Sequence, residues 1–96
     1  MKTSIRVTAA EIVHWATKTF PTASNHSRVQ HIKKEVEELE AEPQDPNEMA
    51  DILILLIHHA AANGVDIFTA VEDKFKILKT RKWGAPDKDG VVEHIE

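Results

Sequence analysis

The sequence predicts an all-α fold in which residues 1–96 form a single domain, a four-helix bundle completed by dimerisation. Three observations predict this class. Apolar residues recur at three- and four-residue steps in four segments, which is the period of an amphipathic helix. Proline or glycine separates these segments, and none of them alternates apolar and polar residues as a strand would. A chain of 96 residues buries one modest core, which leaves room for one functional site.

The first helix is predicted to begin at Thr8, because Thr8 and Glu11 have the spacing of a capping box. Pro21 ends it. A tryptophan on the apolar side of a helix is more often a core residue than a partner for a nucleobase, so Trp15 is expected to pack in the core, with base stacking as the alternative. The apolar side of this helix consists of Ile12, Val13, Trp15, Ala16 and Phe20.

The second helix is predicted to begin at Ser27 and to end before Pro43. Its apolar stripe consists of Val29, Ile32, Val36 and Leu39. These residues follow one another at three- and four-residue steps, so one side of the helix faces the core and the other faces solvent.

The third helix is predicted to begin after Asp45, with Pro46 at its first position, and to end before Gly64. It is apolar almost all round, including the run Ile52–Ile57. A helix of this kind is normally covered on more than one side. Since a small chain offers few partners, we expect a homodimer or a tetramer.

The fourth helix is predicted to begin after Asp66 and to end at Gly84 with Pro86. Trp83 is expected to act as a packing anchor near its end. The tail, residues 89–96, is expected to add a short turn. The apolar positions of this part of the chain are Ile67, Phe68, Val71, Phe75, Leu78, Val91, Val92 and Ile95.

Composition excludes several classes of function. A formal net charge of -4 argues against nonspecific electrostatic binding of nucleic acid. Because the chain has no cysteine, it has neither disulfides nor thiolate chemistry. The start lacks an apolar signal core, and the longest apolar run is too short to cross a bilayer. We therefore expect a cytoplasmic protein without a membrane partner.

Four acids are the most informative feature of the chain. Glu35 and Glu38 lie three residues apart on the second helix, and Glu48 and Asp51 lie three apart on the third. This spacing puts each pair on one helix face, and an antiparallel hairpin could bring all four together. A hard divalent cation such as Mg²⁺, carrying a phosphorylated substrate, would relieve their repulsion. The alternatives are a solvated acidic face and a capping role for Glu48 with Asp45.

Three histidines accompany these acids. His31 lies one helical turn before Glu35, from where it could touch either the carboxylate or a ligand. His58 and His59 follow the apolar run of the third helix and have no carboxylate at metal-binding spacing. We therefore expect His58 and His59 to be interface or surface residues.

The acid pairs also resemble a known family signature. The segments at 34–39 and 48–53 are similar to the ExxE and ExxD motifs of the MazG-like all-α nucleoside triphosphate pyrophosphatases. Within that superfamily, the chain resembles a small subgroup of dATP/dGTP pyrophosphohydrolase-like domains from phages and bacteria. This resemblance covers about Ala10 to Ile95 and rests on Trp15, Phe20-Pro21, Ser27, His31-Ile32, Arg81-Lys82-Trp83 and Glu93-His94-Ile95.

The resemblance implies hydrolysis of (deoxy)nucleoside triphosphates, purine dNTPs in particular, to the monophosphate and pyrophosphate. The cofactor implied is Mg²⁺, for which Mn²⁺ could substitute. Glu38 is the residue expected to position or deprotonate the attacking water, and it is also one of the metal ligands. The full set of implied metal ligands is Glu35, Glu38, Glu48 and Asp51.

The resemblance also implies a substrate site. Lys74 and Arg81 match a Lys-x₆-Arg pattern for the phosphates, and their separation is expected to keep them on one face of the fourth helix. His31 and Trp15 are the other substrate-binding candidates. Leu78 stands where relatives often carry asparagine, and the interval between the acid pairs is shorter than in many MazG proteins. The base preference is therefore left open.

Two other functions compete with this one. A di-iron carboxylate bundle is suggested by Glu11 and His14, which form one Glu-x-x-His motif, although that fold needs two. A non-catalytic helical dimer, in which the acids are merely solvated, is the second alternative. Dependence on Mg²⁺ distinguishes the enzyme from both.

Overall fold

The four predicted helices are present. The structure, a computed structural model, describes residues 4–95, and the helices are α1 (Ile5–Thr19), α2 (Asn25–Ala41), α3 (Pro46–Ala62) and α4 (Ile67–Leu78). Helix α3 packs against each of the other three helices, and α2 and α3 form a hairpin. Within the described range, regular pairing of extended chain is limited to one isolated bridge. The all-α prediction is therefore confirmed.

Helix α1 begins three residues earlier than predicted. Ser4 is the N-cap, and its Oγ accepts a hydrogen bond from the backbone N–H of Val7 at 3.3 Å. The prediction of a start at Thr8 is wrong because Ser4 supplies an equally good cap further upstream. Ile5 and Val7 are both half exposed, so the first turn carries no core-facing stripe that would have indicated it.

Helix α2 begins at Asn25 with Ser24 as its N-cap. Ser24 Oγ accepts from the Ser27 N–H at 3.1 Å, and Ser27 Oγ accepts from the Ser24 N–H at 2.8 Å. Ser27 is therefore the reciprocal member of a capping box, and the predicted start at Ser27 is wrong. The end of α2 at Ala41, just before Pro43, is confirmed.

Helix α3 has the predicted ends and contains most of the core. Asp45 caps it with Pro46 at the first position, and the chain leaves the helix through Gly64, whose φ of 70° is left-handed. The buried apolar residues are Leu55, Ile57 and Ala60 of α3 with Ala9 and Ala16 of α1. Small residues on α1 allow the two helices to approach closely. On other sides of α3, Met49 and Leu53 remain nearly half exposed.

Helix α4 begins as predicted, since Asp66 Oδ1 accepts from the N–H of Phe68 at 3.0 Å. It ends at Leu78, so the predicted end at Gly84 is wrong. Two side chains donate hydrogen bonds to carbonyls of its last turn, so the helix can end at Leu78 without leaving those carbonyls unpaired. Thr80 Oγ1 donates to the Ile77 carbonyl at 2.8 Å, and Trp83 Nε1 donates to the Leu78 carbonyl at 3.3 Å.

The tail folds back on the segment after α4. Trp83 and His94 form an antiparallel bridge, and the Gly84 N–H donates to the Glu93 carbonyl at 2.9 Å. A Cβ on Gly84 would lie 3.0 Å from Ile95 Cγ2, so a side chain at this position would require Ile95 to shift by a few tenths of an ångström. A turn forms at residues 87–91, which overlaps only the start of the segment 89–96 where a turn was expected, and Glu96 lies outside the described residues.

Arg6 connects α1 to the start of α4. Its Nη1 lies 2.7 Å from Asp66 Oδ2 and its Nη2 lies 3.5 Å from Glu72 Oε1, while its guanidinium carbon is 5.3 Å from the centroid of the Phe68 ring. All three charged side chains are at least half exposed. We call Arg6, Asp66 and Glu72 the Arg6 cluster.

Within residues 4–95, no single helix is long and apolar enough to cross a membrane. Helices α3 and α4 reach that length and composition only when they are taken as a pair, and the pair is bent by 102°.

Candidate metal centre

Three of the four predicted acids converge between α2 and α3. Glu35 and Glu38 of α2 and Glu48 of α3 each offer a carboxylate oxygen, and these oxygens lie within 4.8 Å of one another. We call these three residues the acid cluster. Its residues meet because the three-residue spacing aligns each pair on one helix face and the α2–α3 hairpin turns the two faces toward each other.

Two oxygens of the acid cluster are buried without a partner. Glu35 Oε2 and Glu48 Oε2 have no contact with solvent and no hydrogen bond within residues 4–95. They are the buried side-chain nitrogen or oxygen atoms of that range that lack a hydrogen-bond partner. Burying a polar atom without a hydrogen bond is costly, and the cost is greater for a charged one. A divalent cation with oxygen ligation would supply the missing partner, so the donor set fits a metal ion of the Mg²⁺ or Mn²⁺ type.

Electrostatics in the cluster favours the protonated acids. The hydrogen bond with Glu38 raises the pKa of Glu35 above its usual range, and burial and the charges of Glu38 and Asp51 add to this, while His31 opposes it. The pKa of Glu48 is raised first by burial and then by its hydrogen bond with Glu38. A cation would reverse both effects because it favours the ionised carboxylates.

Asp51 lies beside the cluster rather than inside it. Its side chain is exposed and borders the same cavity as Glu35. Its negative charge contributes to the raised pKa of Glu35 and of Glu48. The structure therefore brings the oxygens of three acids together and places the fourth at the margin, where it could still reach an ion or a water bound to one.

His31 contacts the cluster as predicted. Its Nε2 lies 3.4 Å from Glu35 Oε1, one helical turn away on α2. His31 also borders the cavity described next, so its ring lies between the acids and the space available to a ligand.

A cavity of about 220 Å³ adjoins the acids. Trp15 borders it and is 53% exposed, so the expectation that Trp15 packs in the core is wrong. Its ring meets Phe20 edge to face, with centroids 5.6 Å apart. The side of α1 that meets α3 carries alanines, which leaves the tryptophan at the rim. The cavity is lined by Trp15, Ala16, Phe20, His31, Glu35, Asp51, Ile54, Leu55 and His58.

A second cavity of about 280 Å³ continues from the first. The two share four lining residues, Phe20, His31, Leu55 and His58. At its far end the second cavity is lined by Thr22, Ala23, Ser27 and Arg28. We call the two cavities together the substrate groove.

The sequence reasoning missed two residues of this groove. His58 is 6% exposed, so the expectation of a surface or interface position is wrong. Arg28 is half-buried, and its Nε donates to Nδ1 of His59, which is also half-buried. The signal for His58 was its position seven residues after Asp51, which places both on one face of α3.

Lys74 and Arg81 lie away from the substrate groove. Lys74 borders the apolar face of α4, and Arg81 follows the helix, with its Nη1 3.4 Å from His94 Nδ1. Neither residue lines the groove. The expectation that they share one helix face is wrong because α4 ends at Leu78. The expected anchor Trp83 is 45% exposed and contacts the end of α4 and His94.

The profile of the dATP/dGTP pyrophosphohydrolase family matches residues 8–96. The chain belongs to this family. A dATP/dGTP diphosphohydrolase of Salmonella phage PMBT28 is 39% identical over 82 residues, which are 84% of this chain and 28% of that protein's length. A dATP/dGTP diphosphohydrolase of Cyanophage S-2L is 32% identical and covers 99% of this chain and 91% of its own length.

A solved structure shares the fold of this family member. The MazG-like pyrophosphohydrolase of Cyanophage S-2L, bound to dGDP and three catalytic Mn²⁺ ions per active site, superimposes with a TM-score of 0.83 at 32% identity. The superposition covers 98% of this chain and 94% of the other. The predicted MazG-like fold is confirmed.

The di-iron alternative receives no support from the geometry. Glu11 and His14 are exposed on α1, and the group of side chains able to hold a metal within residues 4–95 is the acid cluster on α2 and α3.

Proposed function

We propose that this dATP/dGTP pyrophosphohydrolase family member hydrolyses purine deoxynucleoside triphosphates to the monophosphate and pyrophosphate, using a divalent cation. The observation that carries the proposal is the pair of buried, unpartnered oxygens of Glu35 and Glu48 beside an aromatic groove. The names of the phage relatives support the substrate class. The Mn²⁺ ions in the S-2L structure support a divalent metal.

Glu35, Glu38 and Glu48 would hold the ion, and Asp51, at the margin of the acid cluster, could contact the ion or a water bound to it. A bound ion of this kind polarises the phosphoanhydride and offsets negative charge that develops on the phosphate oxygens. We propose Mg²⁺ as the resident ion, with Mn²⁺ as a substitute, because hard oxygen donors accept either.

Glu38 has the position expected of the residue that handles the attacking water. One of its carboxylate oxygens lies within 4.8 Å of those of Glu35 and Glu48, and its side chain is exposed, so the carboxylate is accessible to incoming solvent and phosphate. It would orient the water and accept one of its protons. The water's oxygen joins one phosphorus of the α–β phosphoanhydride, the bond from that phosphorus to the bridging oxygen breaks, and the monophosphate and pyrophosphate separate.

We propose that a second copy of the chain completes the substrate site. Helix α4 exposes an apolar face on which Val71 is 58% and Phe75 is 57% exposed, and Lys74 lies in the middle of this face. Burial of this face between two copies would remove apolar surface from water and could carry Lys74 and Arg81 toward the partner's acids. Those two cations would then neutralise phosphate oxygens.

A test of this arrangement mixes two inactive variants. Subunits carrying Glu38→Gln and subunits carrying Lys74→Ala are expected to regain activity when they are co-refolded, because a mixed dimer contains one intact site. No gain over either variant alone would contradict sharing of the site between subunits.

The reaction itself is tested with a panel of dNTPs and NTPs and identification of the products. We expect pyrophosphate and dAMP or dGMP, and a loss of at least about 100-fold in kcat/KM for Glu38→Gln. Glu40→Gln is the matched control, since Glu40 is an exposed acid on the same helix outside the cluster. Release of inorganic phosphate instead of pyrophosphate, or full activity of Glu38→Gln, would overturn the proposal.

A further inference from the structure

His58 is a buried polar side chain that has no hydrogen-bond partner among residues 4–95. It is 6% exposed, and neither of its ring nitrogens makes a hydrogen bond within residues 4–95. Both ring nitrogens of His58 retain some contact with solvent. The side-chain polar atoms of that range that have neither solvent contact nor a hydrogen bond belong to Glu35 and Glu48. Since His58 lines both cavities of the substrate groove, its polar edge is available to a ligand there.

The surroundings of His58 favour the neutral imidazole over the charged form. Burial lowers its pKa, and the charges of Arg28 and His59 lower it further. A neutral imidazole offers one N–H donor and one acceptor nitrogen. The ring can therefore form a directional hydrogen bond with an uncharged ligand group.

The position of His58 along the groove corresponds to the base of a nucleotide. Asp51 and His58 lie seven residues apart on α3, which is about 10 Å along the helix axis. If the phosphates lie at the acids, the nucleoside extends toward His58. The Phe20 ring lies 6.3 Å from the His58 ring and 6.4 Å from the His31 ring, and such flat rings provide a surface for a nucleobase.

We propose that His58 is a specificity-determining residue of the substrate groove, where its ring N–H donates a hydrogen bond to N7 or N3 of a purine base. The inference rests on the proposed function for the placement of the phosphates. Both adenine and guanine carry N7 and N3 as acceptors, so one donor treats the two bases alike. Pyrimidines lack the ring that contains N7, so a contact at N7 would account for a preference for purines as a class, whereas a contact at N3 would not by itself exclude pyrimidines, which carry O2 as an acceptor.

The first experiment uses the unmodified protein with dGTP, 7-deaza-dGTP and 3-deaza-dGTP. Replacing the contacted nitrogen by C–H leaves the donor of His58 unpaired in a buried site. We expect one of the two analogues to lower kcat/KM by about 10- to 100-fold and the other to behave like dGTP. Equal kcat/KM values for all three nucleotides would overturn the proposal without any mutant.

The second experiment uses His58→Phe, which retains the ring shape and removes the donor. We expect kcat/KM for dGTP to fall to the level of the sensitive analogue, with no further loss for that analogue in the variant. The matched control is His14→Phe, an exposed histidine on α1 outside the groove, which should discriminate as the wild type does. A His58→Phe protein that still discriminates against the analogue would contradict the assignment.

Conservative variants separate hydrogen bonding from packing. His58→Asn and His58→Gln place an amide N–H near the position of Nδ1 or Nε2, so one of them should restore discrimination against the analogue. Circular dichroism and Mn²⁺ binding verify that each variant is folded. Restoration by neither variant, with both folded and binding Mn²⁺, would count against a hydrogen-bonding role.

Failure of the proposed function would be distinguishable. If no nucleotide is hydrolysed, binding of dGMP, 7-deaza-dGMP and 3-deaza-dGMP can be followed by the fluorescence of Trp15 in a Trp83→Phe background, because Trp15 borders the groove. Preference for dGMP over one deaza analogue, lost in His58→Phe, would support the base contact even without catalysis. Equal binding of these nucleotides would overturn it.

Discussion

Two groups of acids in this protein show opposite electrostatics. In the Arg6 cluster, the guanidinium lowers the pKa of Asp66, and Asp66 in turn raises the pKa of Arg6. In the acid cluster, neighbouring carboxyls and burial raise the pKa of Glu35 and Glu48. The chain supplies a guanidinium in the first group, whereas the basic side chain beside the second is His31, 3.4 Å from Glu35, which only partly opposes the raised pKa of Glu35. The comparison indicates that the first group holds α1 to α4 and that the second is arranged to bind a cation from solution.

The difference also separates stability from function. Exposed ion pairs such as Arg6 and Asp66 contribute little to folding. The acid cluster opposes folding when no ion is bound, since Glu35 Oε2 and Glu48 Oε2 are buried without a hydrogen-bond partner in the described part of the chain. A site that is unfavourable in the free chain and favourable with its ligand is typical of functional residues.

The largest expected effect is the loss of catalysis when the acid cluster is changed. Glu48→Gln should lower kcat/KM for dGTP by at least about 100-fold, because the variant loses a buried metal ligand. Glu72→Gln, in the Arg6 cluster, should leave kcat/KM unchanged. Steady-state assays with saturating metal measure kcat/KM for both variants. Comparable losses of kcat/KM in Glu48→Gln and Glu72→Gln would contradict the functional difference between the two clusters.

The next effect concerns stability and metal. Wild-type protein should gain about 2.7 kcal/mol in free energy of unfolding at a metal concentration 100 times Kd. Glu48→Gln should melt at a higher temperature than wild type without metal, since it removes a repulsive charge, and should lose most of the shift with Mn²⁺. Thermal melts monitored by circular dichroism measure these shifts, and a metal-free variant that melts below wild type would contradict uncompensated repulsion in the cluster.

The pH dependence of stability should differ between the clusters. The pKa of Glu48 is raised above 4.5 in the folded chain, so the folded state binds protons more tightly. Its contribution to stability is therefore lost as pH rises from 4.5 through the raised value. The pKa of Asp66 is lowered below 3.8, so its contribution is present above 3.8 and is lost as pH falls further.

Urea unfolding of metal-free protein between pH 3 and pH 8 tests these signs. Glu48→Gln should reduce the decline in the free energy of unfolding above pH 4.5. It should not change the loss of stability at acid pH that is assigned to Asp66. Saturating Mn²⁺ should also remove the decline in wild type. A metal-free wild type whose stability rises throughout this range, with no difference in Glu48→Gln, would contradict the account.

The smallest effect is expected for Arg6→Ala. Its ion pairs are exposed and screened by salt, so the variant should melt slightly below wild type at low ionic strength and with less difference at high salt. Its kcat/KM should stay at the wild-type level. A change in kcat/KM larger than the change in stability would indicate that the Arg6 cluster also acts on the site.

The sequence predicted the parts of the site that depend on local spacing. The approach of Glu35 to Glu48 follows from helix periodicity and a short hairpin, both of which can be inferred from residue order. The exposure of Trp15 and the burial of His58 depend on which sides of the helices meet, and that depends on the alanines of α1 packing against α3. Amphipathic patterns do not distinguish the centre of a packed face from its rim.

The ends of helices were predicted less well where two caps compete. Ser4 and Thr8 are both acceptable N-caps, and the choice depends on one hydrogen bond to Val7. The end of α4 depends on Trp83 reaching back to the Leu78 carbonyl, a contact made across a loop. Such contacts depend on the path of the folded chain, so sequence patterns alone missed them.

The most direct test of the central claim is calorimetric titration of metal-free protein with Mn²⁺ in wild type, Glu48→Gln and Glu72→Gln. We expect saturable binding of Mn²⁺ to wild type and to Glu72→Gln, and an affinity at least about 10-fold weaker for Glu48→Gln. Absence of binding to wild type, or equal affinity in Glu48→Gln, would contradict a metal site at the acid cluster.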